Sequence, residues 1–110
     1  MKRFALIGAV LSLAFAAPAC GEDSGPIALN LKDHKFTPSE IHVKANQPNV
    51  ILLTNDDDTA EEFDSSALKV EKVVAGHSKG EVRLRPLSPG RYPFMGEFHS
   101  ATAEGVVIAE

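Results

Sequence analysis

Two short runs of this 110-residue chain hold the side chains best suited to chemistry. One is Glu61-Glu62-Phe63-Asp64, just after the acidic turn Asn55-Asp56-Asp57-Asp58. The other is Tyr92-Pro93-Phe94-Met95-Gly96-Glu97-Phe98-His99, near the C-terminus. Carboxylates and imidazole are ligands for hard and borderline cations. The sequence holds no Ser/His/Asp arrangement, phosphate-binding Gly loop, paired-cysteine motif or basic stripe with aromatics. Hydrolase, nucleotide-binding and nucleic-acid readings therefore have no support. An acidic run such as Glu61, Glu62 and Asp64 is also what a solvated loop looks like. A single His near a core more often bonds a backbone group than a metal.

The elements that must position these residues read as strands. Ile27, Leu29 and Leu31 alternate with other residues, as do Ile41, Val43 and Ala45, whereas 50–54 is continuously apolar and so more central. Val82 and Leu84 alternate with Arg83 and Arg85, Tyr92 and Phe94 with Arg91 and Pro93, and 106–109 closes the chain as an apolar run. These make about six strands by pattern. Residues 65–74 fit neither period, which suggests a helical turn and then a short strand. Turn chemistry is clear at Asn46-Gln47-Pro48-Asn49, at 55–58, at Ala75-Gly76-His77-Ser78 and at Ser88-Pro89-Gly90. Short strands between such turns predict an all-β sandwich in one domain, the most this length accommodates.

The N-terminus has the form of an export signal. Lys2 and Arg3 precede an apolar run, 4–17, that ends in Ala16-Ala17-Pro18-Ala19-Cys20. Residues 1–19 are expected to be a signal peptide, 20–26 a flexible leader and 27–110 the folded domain. Cleavage falls after Ala16 or Ala19, or Cys20 becomes the lipid-bearing first residue. The lipidation signal departs from the usual pattern at Ala17 and Pro18. No transmembrane segment is expected in the mature chain, whose location would be the periplasm. Cys20 is the only cysteine, so no intramolecular disulfide forms. Without residues 1–19 the net charge moves from −4 to −6, which suits cations or a basic protein surface and not nucleic acid.

Several segments together resemble the cupredoxins: 36–45 (Phe-Thr-Pro-Ser-Glu-Ile-His-Val-Lys-Ala), Asn55 with its acidic turn, Pro89 to Phe94, and Gly96 to Gly105. The similarity is greatest to the small exported cupredoxin-like (EfeO-type) proteins of periplasmic iron-uptake systems. The resemblance covers nearly the whole mature domain and implies a Greek-key β-sandwich. Its most specific part is the ending, where Gly90, Tyr92, Phe94, His99 and Gly105 match. The departures fall on the blue-copper ligands. The first His position matches Glu61, the Cys position Gly96 and the Met position Ala103, leaving His99 alone of the four. A blue-copper site depends on a Cys thiolate, and Gly96 and Ala103 supply no ligand atom. Met95 cannot substitute, because strand alternation puts it on the face opposite Phe94 and Gly96.

The resemblance therefore implies an altered site, with Glu61, Glu97 and His99 as ligands and Glu62 and Asp64 as helpers, for iron or copper but not blue copper. Carboxylates favour iron, and the implied partner is an iron permease or another periplasmic uptake component. Two alternatives stand beside this: a metal-free interaction module of a transport system, and a periplasmic copper-binding protein. Gly96 and Ala103 are expected to leave space at the site. Phe36, Phe63, Phe94 and Phe98 are expected in the core, and His34, His42 and His77 facing solvent.

Overall fold

The computed structural model describes residues 25–110. The expected signal peptide, Cys20 and most of the leader lie outside the described residues. Nine strands follow in chain order: β1 Ile27–Lys32, β2 Lys35–Thr37, β3 Glu40–Val43, β4 Asn49–Asn55, β5 Glu61–Ser65, β6 Val70–Val74, β7 Ser78–Leu84, β8 Gly90–Gly96 and β9 Glu104–Ala109. They form two sheets, β2-β1-β4-β7 and β3-β9-β8-β5-β6. Two parallel pairings, β1 with β4 and β3 with β9, join strands far apart in sequence. No helix among the described residues is long and apolar enough to cross a membrane.

The apolar alternation decides which face of each strand turns inward. Leu29 and Leu31 of β1, Ile51 and Leu53 of β4, and Val82 and Leu84 of β7 bury against Ile41, Phe63, Phe94 and Val107 of the other sheet. The aromatic centre is tight. The Phe63 and Phe94 rings stack at 4.7 Å, and Phe36 meets Phe94 edge-on at 5.2 Å. Such pairs add about 0.5–1.5 kcal/mol each beyond the area they bury. Across the β8–β9 pair the Phe94 ring lies directly over Gly105, and a Cβ there would collide with it.

The expected all-β sandwich is what forms, and the six strands read from pattern are all present. Two elements, β5 and β2, differ from expectation. Residues 61–65 are strand β5, held between β8 and β6, and not a loop. Residues 66–69 make a turn and the five-residue strand β6 follows it, in line with the turn and short strand expected there. The short strand β2 pairs back on β1 through the two-residue turn Asp33-His34.

Candidate metal centre

In β5 the side chains alternate strictly. Glu61, Phe63 and Ser65 point inward and Glu62 and Asp64 outward. This single alternation divides the acidic run between two environments. Glu61 is completely buried. A buried carboxylate must be hydrogen-bonded or it destabilises the fold by several kcal/mol, about the size of the whole folding free energy. Its Oε1 accepts the Phe98 N–H at 2.8 Å and the Glu62 N–H at 3.1 Å, and its Oε2 accepts His99 Nδ1–H at 2.6 Å. The hydrogen-bond network assigns that His99 tautomer.

His99 ends a 3-10 turn, Glu97–His99, that follows β8 directly. The loop closes on itself. Thr102 and Ala103 N–H donate to the His99 carbonyl, and Gly96 N–H donates to that of Ala103. The four positions matched to copper ligands thus converge, but no space is left among them. An added Cβ on Gly96 would lie 2.6 Å from Glu61 Cδ and 2.8 Å from Ala103 Cβ. The expectation that Gly96 and Ala103 leave a gap is therefore corrected: the Glu61 side chain fills it.

His34, expected to face solvent, is half-buried. Its ring stacks on that of His99, with centroids 3.5 Å apart and planes 9° from parallel. The turn that carries it is anchored from three sides. Asp57 Oδ1 and Oδ2 accept the Asp33 and His34 N–H at 2.6 and 2.9 Å, and Thr102 Oγ1 donates to the His34 carbonyl at 2.7 Å. Burial pushes the Asp57 carboxyl up, but these backbone bonds and the charges of His34 and Lys32 outweigh it, leaving its pKa below the ordinary value. Asn55, buried at the end of β4, sets the Asp57 turn by accepting the Asp57 N–H. Asn55 Nδ2 also donates to the Thr59 and Val74 carbonyls. His42 and His77 are exposed, paired with Glu110 and Asp58.

Glu62, Asp64 and Glu97 meet on the outer face of the five-stranded sheet. Each brings a carboxylate oxygen within 4.8 Å of the others, and among the described residues no other group of three such side chains does so. Asp64 lies opposite Met95 on β8, so Glu97 follows just beyond that pair. The five residues singled out in the sequence are thus not one cluster. Glu61, fully buried, pairs with the partly exposed His99, whereas Glu62, Asp64 and Glu97 form a surface group. Phe98, expected in the core, is 51% exposed, because its N–H turns in to Glu61 while its ring turns out.

Crowding perturbs the surface group. Side-chain hydrogen bonds to Asp64 and Glu62, with the repulsion of their charges, push the Glu97 carboxyl from 4.5 up to about 7. Between those values the folded state binds more protons than the unfolded state, so stability falls as pH rises through the window. Metal-free protein is expected to show this decline in thermal melts, and Glu97→Gln is expected to flatten it. An identical slope in both proteins would refute the assignment. The Asp57 contribution acts at lower pH and in the opposite sense, being lost as pH falls below its ordinary range.

Residues 3–109 match the sequence profile of the Cupredoxin-like domain. The chain belongs to the cupredoxin-like family. An uncharacterized protein of Rickettsia prowazekii (strain Madrid E) is 40% identical over 82 residues, spanning 74% of this chain and 66% of that protein. Among solved structures, the metal-binding domain of the Streptococcus pneumoniae D39 Cu(I)-exporting P-type ATPase CopA, with Cu(I), superposes with a TM-score of 0.66 at 14% identity. That match covers 77% of this chain and 84% of that one. Reduced amicyanin mutant P94F gives 0.59 at 21% identity, covering 78% and 83%. These likenesses establish the cupredoxin-like fold alone.

The blue-copper centre of cupredoxins does not fit this chain. The position of the thiolate is a glycine with no room for Cβ, and Glu61 Oε1 and Oε2 are both engaged by protein N–H groups. No step is therefore derived through such a centre.

Proposed function

We propose that this cupredoxin-like chain binds a hard cation, iron foremost, on the outer face of its five-stranded sheet, as an exported accessory of ferrous-iron uptake. The observation that carries the reading is the convergence of Glu62, Asp64 and Glu97 oxygens within 4.8 Å. Three carboxylates at that spacing match the ligand preference of hard cations and stabilise a ferric over a ferrous ion. A cation also relieves the repulsion that raises the Glu97 pKa. Glu61 and His99 hold the loop that carries Glu97 and are not ligands in this reading. The export signal and the resemblance to iron-uptake cupredoxins supply the physiological setting, with a permease or another uptake component as partner.

Calorimetry tests the site. Anaerobic iron(II), and iron(III) kept soluble by a weak chelator, are titrated into the wild type and into Glu62→Gln/Glu97→Gln. The double variant is expected to bind at least about tenfold more weakly, equivalent to about 1.4 kcal/mol. Equal binding by both proteins would move the metal off the three carboxylates, and no binding by the wild type would leave a metal-free interaction module in its place. Copper is the second reading, favoured by the Cu(I)-bound domain and the amicyanins among the structural neighbours. Copper(II) outcompetes other divalent ions at most nitrogen and oxygen sites, so tighter copper binding favours neither reading; copper binding that survives in the double variant while iron binding is lost separates the two.

A further inference from the structure

The His34–His99 pair uses none of the three surface carboxylates, and its chemistry is different. His99 gives its Nδ1–H to Glu61, so Nε2 carries the free lone pair of that ring. No buried side-chain nitrogen or oxygen among the described residues lacks a partner. His99 Nε2 and the ring nitrogens of His34 make no hydrogen bond to a described residue, and both side chains are partly exposed. A histidine whose inner nitrogen is held by a carboxylate is the usual arrangement of a metal-ligating histidine, because the carboxylate fixes both tautomer and ring orientation. Here that carboxylate is fully buried and itself anchored by two backbone N–H groups.

The second ring is placed as deliberately. Asp33 and His34 both have positive φ, 52° and 58°, the backbone of a tight two-residue hairpin turn where Asn-Gly is favoured. Asp57 satisfies both N–H groups and Thr102 fixes the carbonyl, so the backbone that carries the half-buried His34 ring is held from three sides. The ring centroids lie 3.5 Å apart, so the two imidazoles are already neighbours in the metal-free chain.

We propose that His34 and His99 form a two-imidazole site for a borderline divalent cation, copper(II) above the others, with Glu61 as the positioning carboxylate behind His99. Nitrogen binds a metal in the plane of its ring, and face-to-face rings do not aim at one point. Binding therefore swings the His34 ring out of its stack, while His99 stays locked to Glu61. This site is separate from the blue-copper centre of the family, because His34 is not at any of its ligand positions and His99 Nδ1 is already taken.

Pulsed electron paramagnetic resonance with one equivalent of copper(II) tests it, in the Glu62→Gln/Glu97→Gln background so that the carboxylate group does not compete. Two equatorial imidazoles are expected there, and one after adding His34→Asn, which retains a residue tolerant of positive φ. Thermal melts confirm that the variant is folded. One imidazole before the His34 change, two imidazoles after it, or no copper bound would each overturn the proposal. Glu61→Gln in the same background is expected to weaken copper binding about 10–100-fold. Iron titration of the otherwise unaltered protein tests the carboxylate site independently, so either site can fail without the other.

Discussion

Glu61→Ala is expected to destabilise the domain by about 3–5 kcal/mol, from two N–H donors left without an acceptor at about 1–3 kcal/mol each and the cavity opened beside them. Three effects act together. The Glu62 and Phe98 N–H groups lose their acceptor, His99 loses the partner of its inner nitrogen, and a cavity opens against Gly96 and Ala103. The Tm of so small a domain should fall by more than about 10 °C, readable by circular dichroism. A change of less than about 1 kcal/mol would mean that the pair contributes little to the fold.

Glu61→Gln separates the charge from the shape. An amide offers one acceptor, which continues to serve the Glu62 and Phe98 N–H groups, so its NH2 must face His99. Nδ1 then becomes an acceptor and the ring proton moves to Nε2. The variant is expected to retain most of the stability lost by Glu61→Ala while reversing the His99 tautomer, as read by nitrogen-15 correlations of the imidazole. An unchanged tautomer would show that Nδ1 was not the protonated nitrogen of the wild type.

Gly96→Cys restores the missing thiol and is expected to fail as a copper site. The new Cβ would lie 2.6 Å from Glu61 Cδ, 2.9 Å from Glu61 Cγ and 2.8 Å from Ala103 Cβ. Glu61 is held by three hydrogen bonds and cannot yield cheaply. Overpacking of this kind costs about 1–3 kcal/mol. The single variant should melt lower and show no intense visible band with copper(II). Glu61→His/Gly96→Cys/Ala103→Met removes the obstructing carboxylate and supplies the full ligand set, and the band is expected there. An intense band in Gly96→Cys alone would mean that Glu61 leaves the site readily.

Legibility followed the chemistry of each strand. β1, β4 and β9 show plainly in the sequence because Leu29, Leu31, Ile51, Leu53 and Val107 repeat an apolar signal at inward positions. β5 does not, because its first inward residue is Glu61, and two glutamates in succession read as solvent-facing. β2 is only three residues long, and β6 exposes Glu71, Lys72 and Val73 in succession, so neither carries a clear period. At the site, the resemblance brought Glu61, Gly96, His99 and Ala103 to one place. It did not separate Glu97 from His99, since a 3-10 turn has no side-chain period like that of a strand. His34 gave no signal at all, being 65 residues from the ring it stacks on.

The sequence by itself determined the sandwich, through alternation and turn residues, and excluded blue copper, because its single cysteine, Cys20, lies ahead of the domain. Only the tertiary structure decided what stands in place of the copper. The pairing of β5 with β8 and β6 sets which of two adjacent glutamates turns inward, and a shift of one residue would exchange them. That register follows from burying Phe63 against Phe94, a contact between residues distant in the chain. It sends Glu61 inward to His99 and leaves Glu62 and Asp64 outside with Glu97, where a cation can reach them.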